Sequence, residues 1–258
     1  MKLKDYIDYK EKYLRKLFNE ELDCFIGIPS KGRSFRVKEQ EKLMGVKPTW
    51  FVPKEDFESY RNAGANSVEI SPIGLSNSRN FILDYAFKNN QTCLMVDDDI
   101  IGYQKINNDK TLQDISFNDI VVLLKREINI FKLAGVNEKT NLFYYDPTRP
   151  ISKKVPIICT LLVKPSAPRF DNNLKVAEDY DFTLQHLSKY GAVIRLNGFR
   201  NIHHGTQMDN KKLTFKSTIS GGVNYSLDIQ KDSFNYIMKK WKNRVMESKS
   251  TPYQIRIK

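Results

Sequence analysis

The sequence CLMVDDD, residues 93–99, decides the fold of this chain. Its first four residues are apolar and follow the polar residues 89–91, which is typical of a short buried strand. Carboxylates at the end of a buried strand are costly unless cations or hydrogen-bond donors lie beside them. In an extended segment Asp97 and Asp99 would share one face, as hard-oxygen ligands of the kind that Mg²⁺ or Mn²⁺ prefers. An isolated run of three acids is more often a solvated turn, so the flanking sequence decides between the two interpretations.

The residues before this stretch alternate between predicted strands and predicted helices. We predict strands at residues 24–29, 49–52, 67–70 and 93–96, and helices at 4–20, 34–45, 53–64 and 76–89. This order is typical of a parallel sheet covered by helices, so the predicted fold class is α/β. Ligands bind beyond the carboxyl ends of the strands in such sheets. We therefore expect residues 29–33 and 97–99 to meet at one edge.

The second half of the chain has a more mixed pattern. We predict helices at residues 116–134 and 178–190, strands at 141–145, 157–163 and 192–196, irregular structure at 197–222, and an amphipathic helix at 234–245. Ser116 and Asp119 form a capping box for the first of these helices. There is no internal repeat, low-complexity tract or linker, so we expect one domain.

The chain is basic, with a formal net charge of +12. Half of this excess lies in residues 231–258, which contain eight Lys or Arg residues and two acidic residues. Such a balance indicates a polyanionic partner or an anionic membrane surface, or else only a lysine-rich composition. No apolar stretch could span a bilayer, no signal peptide is evident, and the three cysteines are far apart. We therefore expect a reduced cytoplasmic protein without stable membrane insertion.

Two segments could bind anions. Residues 30–33 (SKGR) offer Lys31 and Arg33 in a small loop that suits phosphate, although surface sequences of this kind are common. Residues 74–80 (GLSNSRN) open a helix just before the acidic strand, and a helix N-terminus attracts anions. Arg79 adds a fixed charge there; alternatively it pairs with Asp84 or faces solvent.

Two later segments could take part in chemistry. Glu178 and Asp179 begin a helix, where they either complement the helix dipole or supply a general base, with Asp179 the preferred base. His203 and His204 could complete a metal shell, whereas His186 lies within a helix and is expected to be structural. The sequence has no P-loop, dinucleotide fingerprint, HExxH, GxSxG or zinc-finger spacing.

Taken together, these segments resemble the GT-A glycosyltransferases. Residues 26–30 are similar to the first strand and nucleotide loop of that family, and residues 74–80 to its G-x-x-x-x-R-N helix opening. The acids at 97–99 match its DxD motif, and residues 178–179 its ED motif. His204, with His203 as the alternative, is similar to the late metal-binding histidine of the family.

The resemblance implies a metal-dependent enzyme with a Rossmann-like half and a mixed acceptor half. It implies an N-terminal helix over residues 1–22, a nucleotide-sugar half over 23–100, an acceptor half over 101–222 and a basic C-terminal helix and tail over 223–258. The implied nucleotide-binding residues are Pro29, Ser30, Lys31, Arg33, Arg79, Asn80, Asp97 and Asp98. Asp97, Asp99 and His204 would hold Mn²⁺ or Mg²⁺, and Asp179 or, second, Glu178 would be the catalytic base.

The implied reaction moves a sugar from a nucleotide diphosphate, with a UDP-sugar as the first choice, to a hydroxyl group. A compact chain with SKGR at residues 30–33 and HHG at residues 203–205 is also similar to the bacteriophage and TET-associated DNA glycosyltransferases. That similarity, with the basic C-terminus, implies a hydroxymethylated pyrimidine in double-stranded DNA as acceptor. The alternatives are a polysaccharide or glycolipid acceptor, a nucleotidyltransferase, or a non-catalytic binding module. The donor sugar, the stereochemical outcome and the oligomeric state stay open.

Overall fold

The computed structural model describes residues 23–137, 142–203, 227–248 and 253–258. The predicted N-terminal helix over residues 4–20, His204 and most of the segment 197–222 lie outside the described residues. No helix in the described part of the chain is both long and apolar enough to cross a membrane.

The first half of the sheet is entirely parallel, as the sequence predicts. Its strands are β1 (Phe25–Pro29), β2 (Thr49–Val52), β3 (Ser67–Ile70) and β4 (Cys93–Val96), in the spatial order β3-β2-β1-β4. The connecting helices are α1 (Val37–Met44), α2 (Phe57–Asn62) and α3 (Leu75–Lys88), and short 3₁₀ turns at Ser34–Arg36 and Lys54–Asp56 lead into the first two. The predicted alternation of strands and helices is confirmed.

The second half extends the same sheet with mixed strand directions. Its strands are β5 (Ile100–Ile106), β6 (Leu112–Ile115), β7 (Leu133–Asn137), β8 (Ile151–Ser152), β9 (Thr160–Val163) and β10 (Ile194–His203). The sheet continues from β4 in the order β9-β7-β10-β5-β6, with β8 paired to β10. Among the described strands of this half, β7 and β10 pair parallel and the other neighbours pair antiparallel. The α/β class, with a parallel first half and a mixed second half, is therefore confirmed.

The remaining described elements are three helices and a hairpin. They are α4 (Phe117–Ile128), α5 (Glu178–Tyr190), α6 (Leu227–Lys240) and the strands β11 (Val245–Glu247) and β12 (Ile255–Ile257), which pair antiparallel, with a 3₁₀ turn at Leu142–Tyr144. Ser116 caps α4 as predicted, since its Oγ accepts from the Asp119 amide at 3.1 Å and donates to Asp119 Oδ2 at 2.7 Å. Helix α5 begins and ends where the sequence predicts.

Several boundaries predicted from the sequence are wrong. The last helix was expected over residues 234–245, but α6 spans Leu227–Lys240, residues 241–244 form a turn and Val245 begins β11. Helix α4 ends at Ile128 because Asn129 has φ +32°, which leaves the helical region, and residues 133–137 form the buried strand β7. Residues 142–144 form a 3₁₀ turn where a strand was expected. Residues 197–203 continue β10, because this segment pairs along its length with β5. The extents of β7 and β10 depend on pairing with strands that are distant in the sequence.

The sheet is buried on both faces. Along β2, Trp50 and Val52 pack in one apolar cluster with α1 and α4, whereas Phe51 packs in a second cluster with α3, α5 and α6. This alternation is what successive residues of a strand sandwiched between two layers produce. The charged residues at the strand ends are thus held on a rigid three-layer frame.

Candidate functional site

The candidate site lies where the strand order reverses, between β1 and β4. Open α/β sheets bind ligands in the crevice at such a point. The loops that leave these two neighbouring strands are in direct contact here. Arg33 Nη1 donates to Asp98 Oδ1 at 2.6 Å, and Ser30 Oγ donates to Asp98 Oδ2. The structure therefore brings the predicted phosphate loop and the predicted acidic segment together.

The three acids occupy a turn. Strand β4 ends at Val96 and β5 begins at Ile100, so the expectation that Asp97 and Asp99 share one face of an extended segment is wrong. The Asp97 amide donates to the Cys159 carbonyl at 2.9 Å, which fixes the start of the turn. The turn lets each carboxylate reach a different partner, which is how three adjacent charges can be buried together.

Arg79 joins the acidic turn to helix α5. Its Nη2 donates to Asp97 Oδ1 at 2.8 Å and its Nη1 to Glu178 Oε1 at 2.6 Å, and its guanidinium lies 5.3 Å from the Phe170 ring centroid. Burial alone would lower the pKa of Arg79, but the charges of Asp97, Glu178 and Asp179 raise it. Arg79 is 3% exposed and its charge is shared by two acids. It therefore joins the elements of the site, and its expected role as a fixed cation for a nucleotide stays a prediction.

Asp98 lies deepest of the three acids, at 2% exposure. Burial raises its pKa to about 6, although Arg33 and Ser30 act in the opposite direction. The same network includes Tyr60, whose hydroxyl lies 2.6 Å from Ser30 Oγ and accepts from the Arg33 amide at 3.0 Å. These contacts fix the loop after β1 against the acidic turn.

Asp99 lies at the rim of the site, with 26% of its side chain exposed. His203, at the end of β10, donates from Nδ1 to Asp99 Oδ1 at 3.3 Å. Burial would raise the pKa of Asp99, but the bond from His203 and the charges of His203, Arg33 and Arg36 lower it. The predicted late-histidine segment therefore reaches the acidic turn, and it does so through His203, since His204 lies outside the described residues.

The two acids that open α5 differ in environment. Glu178 is 6% exposed and bound to Arg79, and burial raises its pKa in spite of that partner. Asp179 is half-buried, and its Oδ1 accepts from the neighbouring Tyr180 amide at 2.8 Å. Ala177, just before them, has φ +59°, a conformation that costs a residue other than glycine roughly 1–3 kcal/mol. Such strain beside a charged cluster is typical of functional sites.

The remaining predicted nucleotide-binding residues have defined positions. Pro29 ends β1, and Lys31 is exposed beside Glu55, with Nζ 3.9 Å from its carboxylate. Asn80 binds the backbone of Phe170 at both ends of its amide, accepting at 2.7 Å and donating at 2.9 Å. Asn80 therefore holds the loop that covers Arg79.

Arg36 belongs to the site although the sequence did not predict it. This residue is 6% exposed, and its Nε and Nη1 are buried without a hydrogen-bond partner, although Nη1 lies 3.5 Å from the Glu39 carboxylate. Buried donors without partners are uncommon and often accompany a function. The signal available in the sequence was the spacing of three cations within residues 31–36. Each acid of the turn thus has an arginine that acts on it: Arg79 for Asp97, Arg33 for Asp98, and Arg36 with Arg33 for Asp99.

The donor chemistry of the turn suits a hard divalent cation, but the described residues do not complete a metal shell. Among them, no group of three or more His, Cys, Asp or Glu side chains is placed to hold a metal. Asp97 and Asp98 already bind arginines. Asp99 and His203 are in contact and partly exposed, so they are the described pair to which a cation could be added.

Comparison with known proteins gives distant structural likenesses. No family model matches the chain, and no curated protein matches its sequence. Solved structures similar to it include mannose-1-phosphate geranyltransferase from Thermus thermophilus, with 11% identity, a TM-score of 0.35, and coverage of 72% of this chain and 58% of that one. They also include 4-diphosphocytidyl-2C-methyl-D-erythritolsynthase from Anaerococcus prevotii, with 9% identity, a TM-score of 0.32, and coverage of 76% and 82%. The match spans less than two thirds of the first protein. At these values neither likeness assigns a function to this chain. The functional argument therefore rests on the residues of the site.

Proposed function

We propose that this protein is a metal-dependent glycosyltransferase that moves a sugar from a nucleotide diphosphate sugar, with a UDP-sugar as the first choice, to a hydroxyl acceptor. The observation that carries the proposal is the position of Asp179. It is half-buried in the first turn of α5, next to Glu178, which shares Arg79 with Asp97. A partly exposed carboxylate thus lies beside an acidic turn at the ligand-binding edge of the sheet.

The environment of the two α5 acids divides their roles. Glu178 forms a buried ion pair with Arg79, so its proposed role is to hold the acidic turn against α5. Asp179 keeps access to solvent and can accept a proton from an acceptor hydroxyl as that oxygen attacks the sugar. Asp179 is therefore the proposed base, and Glu178 a positioning residue.

The acceptor chemistry distinguishes glycosyl transfer from nucleotidyl transfer. A phosphate acceptor is already ionised and needs cations around it, whereas a hydroxyl acceptor needs a base. Arg33 and Arg79 have acids as partners, which leaves fewer cations for a second phosphate-bearing substrate. The half-buried Asp179 supplies what a hydroxyl acceptor requires.

Asp99 and His203 are the described pair that could hold Mn²⁺ or Mg²⁺, which would neutralise charge on the leaving diphosphate. Within the chain, Ser30 and Arg33 hold Asp98 in place, and Arg79 holds Asp97. Lys31 is the exposed cation of the loop after β1 and is proposed to contact the donor phosphates.

The test measures nucleoside diphosphate release from a panel of sugar nucleotides with Mn²⁺ or Mg²⁺ and three acceptors: hydroxymethylated DNA duplex, polysaccharide and glycolipid. We expect release to require one acceptor class and Asp99, so that Asp99→Ala loses turnover. Asp179→Asn should lower turnover at least a hundredfold while donor affinity stays within a few-fold. The matched control is Asp232→Asn, which removes an exposed acid on α6.

Each other result contradicts a defined part of the proposal. Release of pyrophosphate in place of nucleoside diphosphate indicates a nucleotidyltransferase. Absence of sugar-nucleotide binding in calorimetry with metal indicates a binding module. Full metal-dependent turnover by Asp99→Ala removes the acidic turn from the mechanism, and a product with retained anomeric configuration removes the base role of Asp179.

A further inference from the structure

The C-terminal hairpin presents one cationic face. In its antiparallel register Met246 lies opposite Arg256, and two pairs further along Arg244 lies opposite Lys258, whose amide donates to the Arg244 carbonyl at 2.9 Å. Residues two apart on a strand share a face, so all four side chains project from the same side. All four are exposed.

The opposite face of the hairpin fixes it to the core. Val245 is 1% exposed and Ile255 is 6% exposed, and both pack in the cluster that contains Phe234 and Ile237 of α6. The cationic face is therefore held outward on a rigid support.

The cations of this face have no acidic partner within the described part of the chain. None of Arg244, Arg256 and Lys258 forms an ion pair there, and the nearby Glu247 accepts from the Tyr253 amide at 3.1 Å. Like charges directly opposite each other on two strands are destabilising. A bound anion would offset that repulsion.

The end of α6, just before the hairpin, is tied to the helix that carries Asp179. Lys240, at the end of α6, places Nζ 2.7 Å from Asp171 and 2.9 Å from the buried Asp181 of α5, and Trp241 Nε1 donates to Asp181 at 2.7 Å. Lys240 belongs to the basic C-terminal segment of the sequence, but its side chain points to internal acids. Lys242, by contrast, is exposed just before the hairpin.

We propose that this face, formed by Arg244, Arg256 and Lys258 with Lys242 at its edge, binds the phosphodiester backbone of a double-stranded nucleic acid without reading its sequence. Guanidinium and ammonium groups in a fixed array suit successive phosphates. An anionic membrane is the weaker partner, because peripheral membrane surfaces add large apolar side chains and this face offers only Met246. The inference stands independently of the proposed transfer reaction.

The test is binding of a short labelled DNA duplex to the full chain, followed by fluorescence anisotropy over a range of salt concentrations. The triple variant Arg244→Gln, Arg256→Gln, Lys258→Gln should bind at least tenfold more weakly. Its slope of log affinity against log salt should be shallower by roughly 2.7, about 0.9 for each lost phosphate contact. The matched control replaces the exposed Lys38, Lys42 and Lys88 by Gln, which removes the same charge from α1 and α3.

The control should keep nearly the affinity and slope of the unaltered chain. Equal losses in both triple variants would show that only net charge matters and would overturn the proposal, as would unchanged binding by the hairpin variant. Hairpin-dependent binding to phosphatidylserine vesicles without duplex binding would assign the face to a membrane instead. If thermal melting shows that the triple variant is unfolded, Arg256→Gln alone should reduce the slope by about 0.9.

Discussion

The first turn of α5 and the middle of the same helix both bury ionisable side chains, but they do so differently. In the first turn, Glu178 and Asp181 each meet cationic or donor side chains from distant segments, namely Arg79, and Lys240 with Trp241. In the middle, His186 lies between Phe182 and Tyr190, and its ring nitrogens reach the Phe182 carbonyl and the Ser166 hydroxyl. Burial lowers the pKa of His186 to about 4, so this imidazole is neutral.

The difference shows which buried groups are part of the candidate site. A buried charge persists only where the fold brings an opposite charge to it, and that requires several segments to converge. The middle of α5 avoids this requirement by keeping its titratable group neutral. The first turn of α5 is therefore the part of the helix where contacts from distant segments stabilise charged side chains, and it is the part that belongs to the candidate site.

The largest expected effect comes from removing the cation of the first turn. Arg79→Met keeps much of the side-chain volume but leaves Asp97 and Glu178 buried without that partner. Breaking one side of a buried ion pair costs about 3–5 kcal/mol, so the free energy of unfolding should fall by that amount in denaturant titrations. Loss of less than about 1 kcal/mol would contradict a charged first turn.

The matched control is Arg126→Met on α4. Arg126 pairs with Glu127 at 2.8 Å, but its side chain is 67% exposed. Exposed pairs contribute about 0–1 kcal/mol, so this variant should stay close to the unaltered protein. A similar loss of unfolding free energy in both variants would show that burial does not make the Arg79 ion pairs more important for stability than the exposed Arg126 pair.

The second prediction concerns the neutral middle of the helix. Because the folded-state pKa of His186 lies below its unfolded value of 6.5, its contribution to stability is present above pH 6.5 and is lost as pH falls towards 4. Relative to His186→Gln, the unaltered protein should lose up to about 3 kcal/mol of unfolding free energy between pH 7 and pH 4. Denaturant titrations at several pH values measure this difference, in which the other titrating groups cancel. A difference that does not change with pH would show that His186 titrates normally.

The sequence predicted those parts of the fold that depend on local patterns. The strands β1, β2 and β4 are short, mostly apolar runs, β3 alternates polar and apolar residues, and α5 lies between a charged start and Gly191. Strand β7 was missed because the apolar residues of α4 continue into it at helical spacing, and only pairing with β9 and β10 shows that it is a strand. The length of β10 likewise depends on its partner β5.

The candidate site was predicted in its residue types and only partly in its contacts. The meeting of the loop after β1 with the acidic turn follows from the parallel order of the strands. The partners of Arg79 could not be found locally: Asp84, which is close in sequence, pairs with Arg169 at 2.8 Å, whereas Asp97 and Glu178 are 18 and 99 positions away. The positive φ of Ala177 could not be predicted from the sequence, because alanine rarely adopts that conformation.

The smallest expected effect on stability belongs to Asp179, which is only half-buried, unlike Glu178 and Asp181 beside it. Asp179→Asn removes a negative charge from the start of a helix, which costs about 0.3–1 kcal/mol, and it keeps the hydrogen-bonding shape of the side chain. Denaturant titrations should therefore place this variant within about 1 kcal/mol of the unaltered protein, although the proposed base is gone. The comparison is sharpest with Glu178→Gln, which leaves Arg79 with one charged partner fewer in a buried setting and should cost more. If Asp179→Asn were the more destabilised of the two, Asp179 would belong to the internal charge frame, and the base would have to be sought elsewhere along the acidic turn.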